Sequence, residues 1–294
     1  MVSVPGRDKL DFYSRRETKY ELDAKGAGEM RRIVEENLPR YEFREGRPST
    51  FITTVYFDTD HLDFYEHASR HYDNNKKIRV KEYYYELEDG SEETFPYCFV
   101  EIKKRREGRV RKRRLLVPKK LLGRILKGED VWEELVRAEP GIEFNGADST
   151  FRQLRHYLDL DQISERSLIN YRRSVYQENR ETEDELRITF DDRLNVFEPV
   201  EGMYESVDAL TFQTLGEPIK SVNKVIMEIK TQSSYPEWLE RALKNFLPKK
   251  MSKFTTSINL LGRELLPGES RNPDKPDDAR GNESSGGSPK NPKC

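Results

Sequence analysis

Apolar and polar residues alternate along several short stretches of the chain, a pattern that predicts β-strands. In residues 77–85, Ile78 and Val80 alternate with Arg79 and Lys81. A period of two places the two sets on opposite faces of a strand. Similar stretches, rich in β-branched and aromatic residues, are predicted as strands at residues 15–22, 51–58, 100–117, 168–176, 186–191 and 225–230. Residues 100–117 read as a hairpin around Gly108.

Helical spacing separates some of these strands. Residues 23–38 place apolar side chains on one helical face and end at Pro39, and Pro236 opens another helix. Further helices are predicted within residues 60–70, 119–137 and 149–160. Because helices are inserted irregularly between strands, the pattern favours an antiparallel barrel or sandwich over a doubly wound sheet.

The polar faces of the predicted strands carry charges two or four residues apart, with good core formers between them. These sets are Glu17/Lys19/Glu21, Arg79/Lys81, Glu101/Lys103, Lys112/Arg114, Arg187/Asp191 and Glu228/Lys230. One such strand would be explained by a solvated sheet face. With six, a closed sheet would bring the charges together in its interior. Unpaired cations there are costly, so the interior is expected to be wet, internally paired or filled by a polyanion such as a phosphate chain.

Composition narrows the class of protein. Lys+Arg 52 against Asp+Glu 54 leaves a net charge of -2, which argues against a general nucleic-acid-binding protein. The basic run of residues 103–114 keeps an RNA-binding or nuclear-localisation patch as an alternative. Only two cysteines and four histidines occur, without a zinc-type cluster, and no P-loop motif is present. With no membrane-span-length apolar run and no signal-peptide core, we expect a soluble cytoplasmic protein.

Domain organisation is predicted from the shift in composition. Residues 1–14 form a short lead-in, residues 15–265 a single folded domain, and residues 266–294 a tail rich in Pro, Gly, Ser and charge. Such a composition cannot bury a core, and the tail is predicted to be disordered.

The ordered series of strand motifs resembles the VTC (vacuolar transporter chaperone) polyphosphate polymerase domain, a branch of the triphosphate tunnel metalloenzymes. The series runs E-x-K, Y-F-D, K-x-R-x-K, E-x-K-K, K-x-R, Y-R-R, R-I-T-F-D, M-E-I-K and S-K-F, over residues 15–254. No single motif is specific, but their order is. The resemblance implies an α+β protein with an eight-stranded antiparallel tunnel β-barrel, CYTH-like, with helices packed outside.

The same resemblance implies transfer of the γ-phosphate of ATP onto a growing inorganic polyphosphate chain, with Mn²⁺ or Mg²⁺ as cofactor. By position, it assigns phosphate-binding catalytic roles to Lys19, Arg79, Lys81, Lys103, Lys112, Arg114, Arg173, Arg187 and Lys253. It assigns substrate binding to Glu17, Lys230 and Ser252, and metal binding to Glu228 and Glu101. ATP and polyphosphate are the expected partners, without nucleic acid, and a membrane partner protein is left open.

Two departures bear on the substrate rather than the fold. Lys81 stands where the family usually has arginine, which keeps the charge but loses the forked geometry. The arginine that fungal members carry after Y-F-D has no match in register.

The hydrolase branch begins E-x-E-x-K, whereas this chain has Arg15 at the first position. A tunnel triphosphatase and a non-catalytic polyphosphate or nucleotide sensor remain the alternatives.

Overall fold

The structure is a computed structural model, and it describes residues 16–262 except 72, 108, 139–145, 179–185, 201 and 207. Residue contacts divide the chain into one unit over Met1–Glu264 and another over Leu265–Cys294, the second lying entirely outside the described residues. The predicted lead-in and disordered tail also lie outside them, so the domain bounds stay predictions.

Ten strands and eight helices are present in the described residues. The strands are β1 Arg16–Leu22, β2 Thr50–Asp58, β3 Asn75–Glu86, β4 Glu92–Thr94, β5 Tyr97–Arg106, β6 Arg109–Pro118, β7 Ser164–Gln177, β8 Arg187–Phe197, β9 Lys220–Val222 and β10 Val225–Thr231. The helices are α1 Ala24–Asn37, α2 Asp63–Arg70, α3 Lys119–Leu126, α4 Trp132–Ala138, α5 Ala147–Asp159, α6 Met203–Ser206, α7 Glu237–Leu243 and α8 Lys253–Leu260. The predicted strands and longer helices are confirmed.

All ten strands belong to one antiparallel sheet in the order β1-β10-β8-β7-β2-β3-β5-β6, with β4 paired to β3 and β9 to β8. Within the described part of the chain, β1 and β6 end this path without pairing to each other. The predicted closed eight-stranded barrel is therefore not confirmed, and the fold is corrected to a ten-stranded sheet that is not closed.

The sheet nevertheless rolls up. β1 and β5 are six places apart in the strand order, which would separate them by about 29 Å in a flat sheet. Yet Lys103 Nζ on β5 lies 3.8 Å from Glu17 Oε2 on β1. The face that carries these two side chains must therefore be the concave one.

Register keeps the charged residues on that face from strand to strand. Arg79 lies opposite Glu101, and Glu101 lies opposite Arg114. At the other end of the sheet, Lys19 lies opposite Glu228. Since directly opposed residues share a face, these strands carry one continuous row, which we call the charged face.

Over β1, β10 and β8 the convex face is apolar and is covered by helices. Helices α1 and α7 pack on β1, β10 and β8 through Met30, Val34 and Leu239, all fully buried. Asp23 is the N-cap of helix α1, and its side chain accepts a hydrogen bond from the Gly26 N–H at 2.8 Å. This N-cap satisfies one of the free donors of the first helical turn.

Helix α8 is the exception to the prediction that helices pack outside. The Phe254 ring lies 5.2 Å from that of Tyr56, which is opposite Arg79 on the charged face. The hydroxyls of Ser257 and Ser167 are 2.7 Å apart. Helix α8 therefore covers one end of the concave face. No helix in the described ranges combines the length and apolar character needed to cross a bilayer.

Candidate functional site

Glu101 on β5 lies at the centre of three cations. Its side chain is fully buried, with Arg79 Nη2 2.6 Å from Oε2, Arg114 Nε 2.7 Å from Oε1 and Lys112 Nζ 3.4 Å from Oε1. Burial alone would raise the pKa of this carboxyl, but Arg79 and Lys112 hold it well below its usual value. Glu101 is therefore an ionised anchor that fixes the direction of the surrounding cations.

Lys19 on β1 bridges two carboxylates from neighbouring strands. Its Nζ lies 2.8 Å from Glu17 Oε1 and 3.7 Å from Glu228 Oε2, while Lys230 Nζ lies 2.6 Å from Glu228 Oε1. Burial and the charge of Glu228 raise the pKa of Glu17, but Lys103 and Lys19 outweigh them and lower it to about 2. Burial likewise opposes ionisation of Glu228, whose pKa is nevertheless held well below normal by Lys230 and Lys19.

Asp191 on β8 anchors a third group. Arg173 donates from Nε at 2.6 Å and from Nη2 at 2.7 Å, one bond to each carboxylate oxygen, and Lys253 Nζ binds the same carboxylate. Burial raises the pKa of Asp191, but Arg173 and Lys253 lower it to about 2. The Arg173 fork is thereby fixed, and the start of α8 is tied to the charged face.

Three lysines of the charged face have lowered pKa values. Burial, with Lys103 and Lys19 nearby, lowers the pKa of Lys77 to about 7. Burial also lowers that of Lys103 to about 8, despite the opposing charge of Glu17. Burial and Arg79 hold the pKa of Lys81 well below normal. A protonated lysine is disfavoured there because the surroundings are both dry and positive.

The structure brings the sequence-predicted residues together. On the charged face or at its rim lie Glu17, Lys19, Arg79, Lys81, Glu101, Lys103, Lys112, Arg114, Arg173, Arg187, Glu228 and Lys230. Ser252 and Lys253 reach the face from the start of α8, where the Lys77 ammonium donates to the Ser252 hydroxyl at 2.7 Å. Their roles in binding and catalysis stay predictions. Arg15 lies outside the described residues.

Sequence reasoning missed two members of the site. Lys77 was left out although it stands two residues before Arg79, and that spacing would have found it. Asp191 was recognised as charged but not as the partner of Arg173. Their opposition depends on the β7–β8 register, which no local motif encodes.

Glu101 fits a metal poorly, because the contacts to Arg79, Arg114 and Lys112 take up both of its oxygens. Glu17 and Glu228 are the more suitable oxygen donors, because their ion-pair partners are lysines and their side chains keep 17% and 9% exposure, whereas that of Glu101 has none. Among the described residues, no group of three or more His, Cys, Asp or Glu side chains is placed to hold a metal ion. A divalent ion would therefore need oxygens from the substrate or water as well.

Comparison with known proteins places the chain in a family. The family model of the VTC domain matches residues 14–261. No curated protein matches the chain.

Solved structures with partial similarity include a Hippeastrum protein described as a candidate adenylyl cyclase with a dominant triphosphatase activity. It shares 15% identity and has a TM-score of 0.45, with 87% of this chain and 100% of that chain covered. A protein from Pyrococcus horikoshii OT3 shares 15% identity at a TM-score of 0.38, with 85% of this chain and 100% of that chain covered. The assignment rests on the family model, which spans nearly all described residues: the chain belongs to the VTC domain family.

Proposed function

We propose that this protein is a polyphosphate polymerase, which transfers the γ-phosphate of ATP onto a growing inorganic polyphosphate chain held on the charged face. The proposal includes dependence on Mn²⁺ or Mg²⁺, a cytoplasmic location and a product that a partner protein in a membrane could receive. Family membership and the chemistry of the charged face support it.

The observation that carries the proposal is the excess of cations over carboxylates on an enclosed face. Among the described residues, basic side chains outnumber carboxylates there. The basic set includes Lys19, Lys77, Arg79, Lys81, Lys103, Lys112, Arg114, Arg173, Arg187, Lys230 and Lys253, and the carboxylates include Glu17, Glu101, Asp191 and Glu228. An unneutralised buried charge is unfavourable, so a polyanion with charges spread along its length is the ligand that stabilises this arrangement best.

The reaction requires little covalent chemistry from the protein side chains. Phosphoryl transfer needs the donor and acceptor aligned and the charge on the phosphate oxygens neutralised. Arg79, Arg114 and Arg173 are held in place by Glu101 and Asp191, so their donors are positioned before the substrate arrives. Such preorganised donors stabilise transition-state charge without reorganising. The terminal phosphate oxygen of the chain is the nucleophile, ADP is the leaving group, and no side-chain nucleophile is required.

Glu17 and Glu228 are the residues that would hold the divalent ion. When bound, such an ion neutralises charge on the phosphate oxygens and orients the transferring group. Lys19 would then exchange its carboxylate partners for phosphate oxygens. Lys103, which is also close to Glu17, is placed to bind the same phosphates.

A tunnel triphosphatase is the second candidate. The two carboxylates that converge on Lys19 favour it, because metal-assisted attack of water on a triphosphate needs oxygen ligands of this kind. The wide lysine and arginine excess is less well explained by a substrate of only three phosphates.

One incubation separates these functions. Purified protein is given ATP with Mn²⁺, and the products are followed by a polyphosphate-stained gel and by an assay of released inorganic phosphate. The proposal expects long chains that depend on Lys103 and disappear in Lys103→Ala. Stoichiometric phosphate release without chains would establish a triphosphatase. Neither product, with tripolyphosphate binding shown separately by calorimetry, would establish a sensor. Unchanged chain synthesis in Lys103→Ala would show that this lysine is not required for the reaction.

A further inference from the structure

The hairpin of β5 and β6 carries cations on both of its faces. Lys103 and Lys112 are opposed on the charged face. Because side chains alternate along a strand, the next residues, Lys104 and Arg111, point away from it and are opposed to each other. One further cationic pair, Arg106 opposite Arg109, lies on the same outward side.

A third strand extends this outward group. Lys76 on β3 is opposite Lys104 on β5, so Lys76, Lys104 and Arg111 line up across three neighbouring strands. We call the five cations Lys76, Lys104, Arg106, Arg109 and Arg111 the outer row. Arg106, Arg109 and Arg111 are exposed, and Lys104 is half-buried.

The outer row is poorly neutralised within the part of the chain that the structure describes. Lys76 pairs with Asp161 at 3.1 Å, and Arg106 lies 3.6 Å from Glu107. No described carboxylate forms an ion pair with the remaining three members, and Lys104 Nζ instead lies 5.5 Å from the centre of the Tyr157 ring. Like charges directly opposite each other across two strands are destabilising. An anion lying between Lys104 and Arg111, or between Arg106 and Arg109, would convert that repulsion into attraction.

The outer row is continuous with the charged face. Lys103 and Lys104 are chain neighbours, as are Arg111 and Lys112, and one step along a strand is about 3.3 Å. β6 is the last strand of the sheet path. A flexible polyanion could therefore pass from the inward to the outward cations around the edge of β6 with which no described strand pairs, without crossing a hydrogen-bonded strand.

We propose that the outer row binds the part of a long polyphosphate chain that extends beyond the enclosed face. This inference rests on the proposed function, since it takes polyphosphate as the ligand of the charged face. The outer row gives a long chain additional contacts that a short one cannot reach, and so it makes affinity depend on chain length. A charged edge strand also protects a sheet against edge-to-edge association, but that role predicts no dependence on chain length.

The test measures binding without ATP or metal. The triple variant Lys104→Gln/Arg109→Gln/Arg111→Gln is titrated with long-chain polyphosphate and, separately, with tripolyphosphate. We expect the Kd for the long chain to rise roughly tenfold at low ionic strength, and its logarithmic salt dependence to fall by roughly two. The Kd for tripolyphosphate should change by less than about twofold, since the charged face alone can hold three phosphates.

The matched control is Arg32→Gln/Arg193→Gln/Arg241→Gln. It removes the same number of charges from exposed ion pairs on α1, β8 and α7, which pair with neither strand of the hairpin. It should bind both ligands like the unmodified protein, and equal melting temperatures of the two variants establish that both are folded.

Several outcomes would overturn the inference. Long-chain affinity that is equal in the hairpin variant and the control would do so, as would an equal loss for both chain lengths. Loss of single-stranded RNA binding or of binding to phosphatidylserine vesicles, with long-chain polyphosphate binding unchanged, would assign the row to another polyanion. Because no turnover is involved, a length-dependent loss in a protein that makes no chains from ATP would contradict the proposed function while supporting the binding surface.

Discussion

Replacement of Glu101 by glutamine tests whether this one buried carboxylate balances the charges of its three neighbouring cations until a polyanion binds. Glu101 has no exposed side-chain surface and contacts Arg79, Arg114 and Lys112. Glu101→Gln keeps the size of the side chain and removes only its charge. Three cations would then face one another without their common partner.

The magnitude follows from the burial of these groups. Removing one partner of a buried ion pair costs about 3–5 kcal/mol. The side chains of Arg79, Lys112 and Arg114 are 19%, 35% and 14% exposed, so partial hydration should hold the loss near the lower end, about 3 kcal/mol. For a chain of this size, that corresponds to a fall in Tm of roughly 6–12 °C.

The assay is thermal unfolding with and without tripolyphosphate. A ligand at a hundred times its Kd stabilises a protein by about 2.7 kcal/mol. In Glu101→Gln the ligand also neutralises the uncompensated cations, so its stabilising effect should exceed that on the unmodified protein by about 2 kcal/mol. The variant is thus expected to be the less stable protein and the more strongly stabilised one.

Glu82→Gln is the matched control. Glu82 is also buried and lies 2.6 Å from Lys119 Nζ, but it is on the opposite face of β3. Its loss should lower Tm without increasing the effect of tripolyphosphate. An unchanged Tm in Glu101→Gln, or equal stabilisation of both variants by the ligand, would refute the reasoning.

Three further predictions follow from the same side chains. Anion binding favours protonated lysines, so affinity for tripolyphosphate, corrected for the ligand's own ionisation, should be constant below about pH 6 and fall as pH rises through the pKa values of Lys77, about 7, and Lys103, about 8. Calorimetric titration should show proton uptake, and a flat profile to pH 9 would contradict this. Asp191→Asn should lower the free energy of unfolding by about 3 kcal/mol. A urea midpoint equal to that of the unmodified protein would argue against the anchor. Glu228→Gln should abolish the stimulation of chain growth by Mn²⁺ while tripolyphosphate still binds, and undiminished stimulation would exclude Glu228 as a ligand.

Alternation along the strands was sufficient to predict which side chains share a face. Arg79 and Lys81 alternate with Ile78 and Val80, and the structure places the first two on the charged face and buries the others in the core. The signal is strong because a shift of one residue would move every apolar side chain out of the core.

Closure of the sheet was not predictable in the same way. Whether β1 and β6 meet depends on the twist and stagger accumulated over the whole strand path, and alternation within a strand contains neither. Strands β4 and β9, each three residues long, are also too short to show a period. The side on which α8 packs was missed because Phe254 and Ile258 look like ordinary core residues from the sequence.

Ion-pair partners on neighbouring strands also could not be predicted from the sequence. Glu101 was predicted as a metal ligand, yet the structure surrounds it with Arg79, Lys112 and Arg114. Arg79 and Arg114 come from the strands on either side of it. The role of a carboxylate is therefore decided by register with its neighbours, which a motif on one strand does not contain.

A crystal structure of the protein with tripolyphosphate bound would show directly whether the charged face is the phosphate-binding site. We expect phosphate oxygens on the concave face, within hydrogen-bonding distance of Arg79 and Lys103, with Glu101 still holding Arg114. Phosphates found only on the convex surface at saturating ligand, with the charged face filled by water, would contradict this expectation.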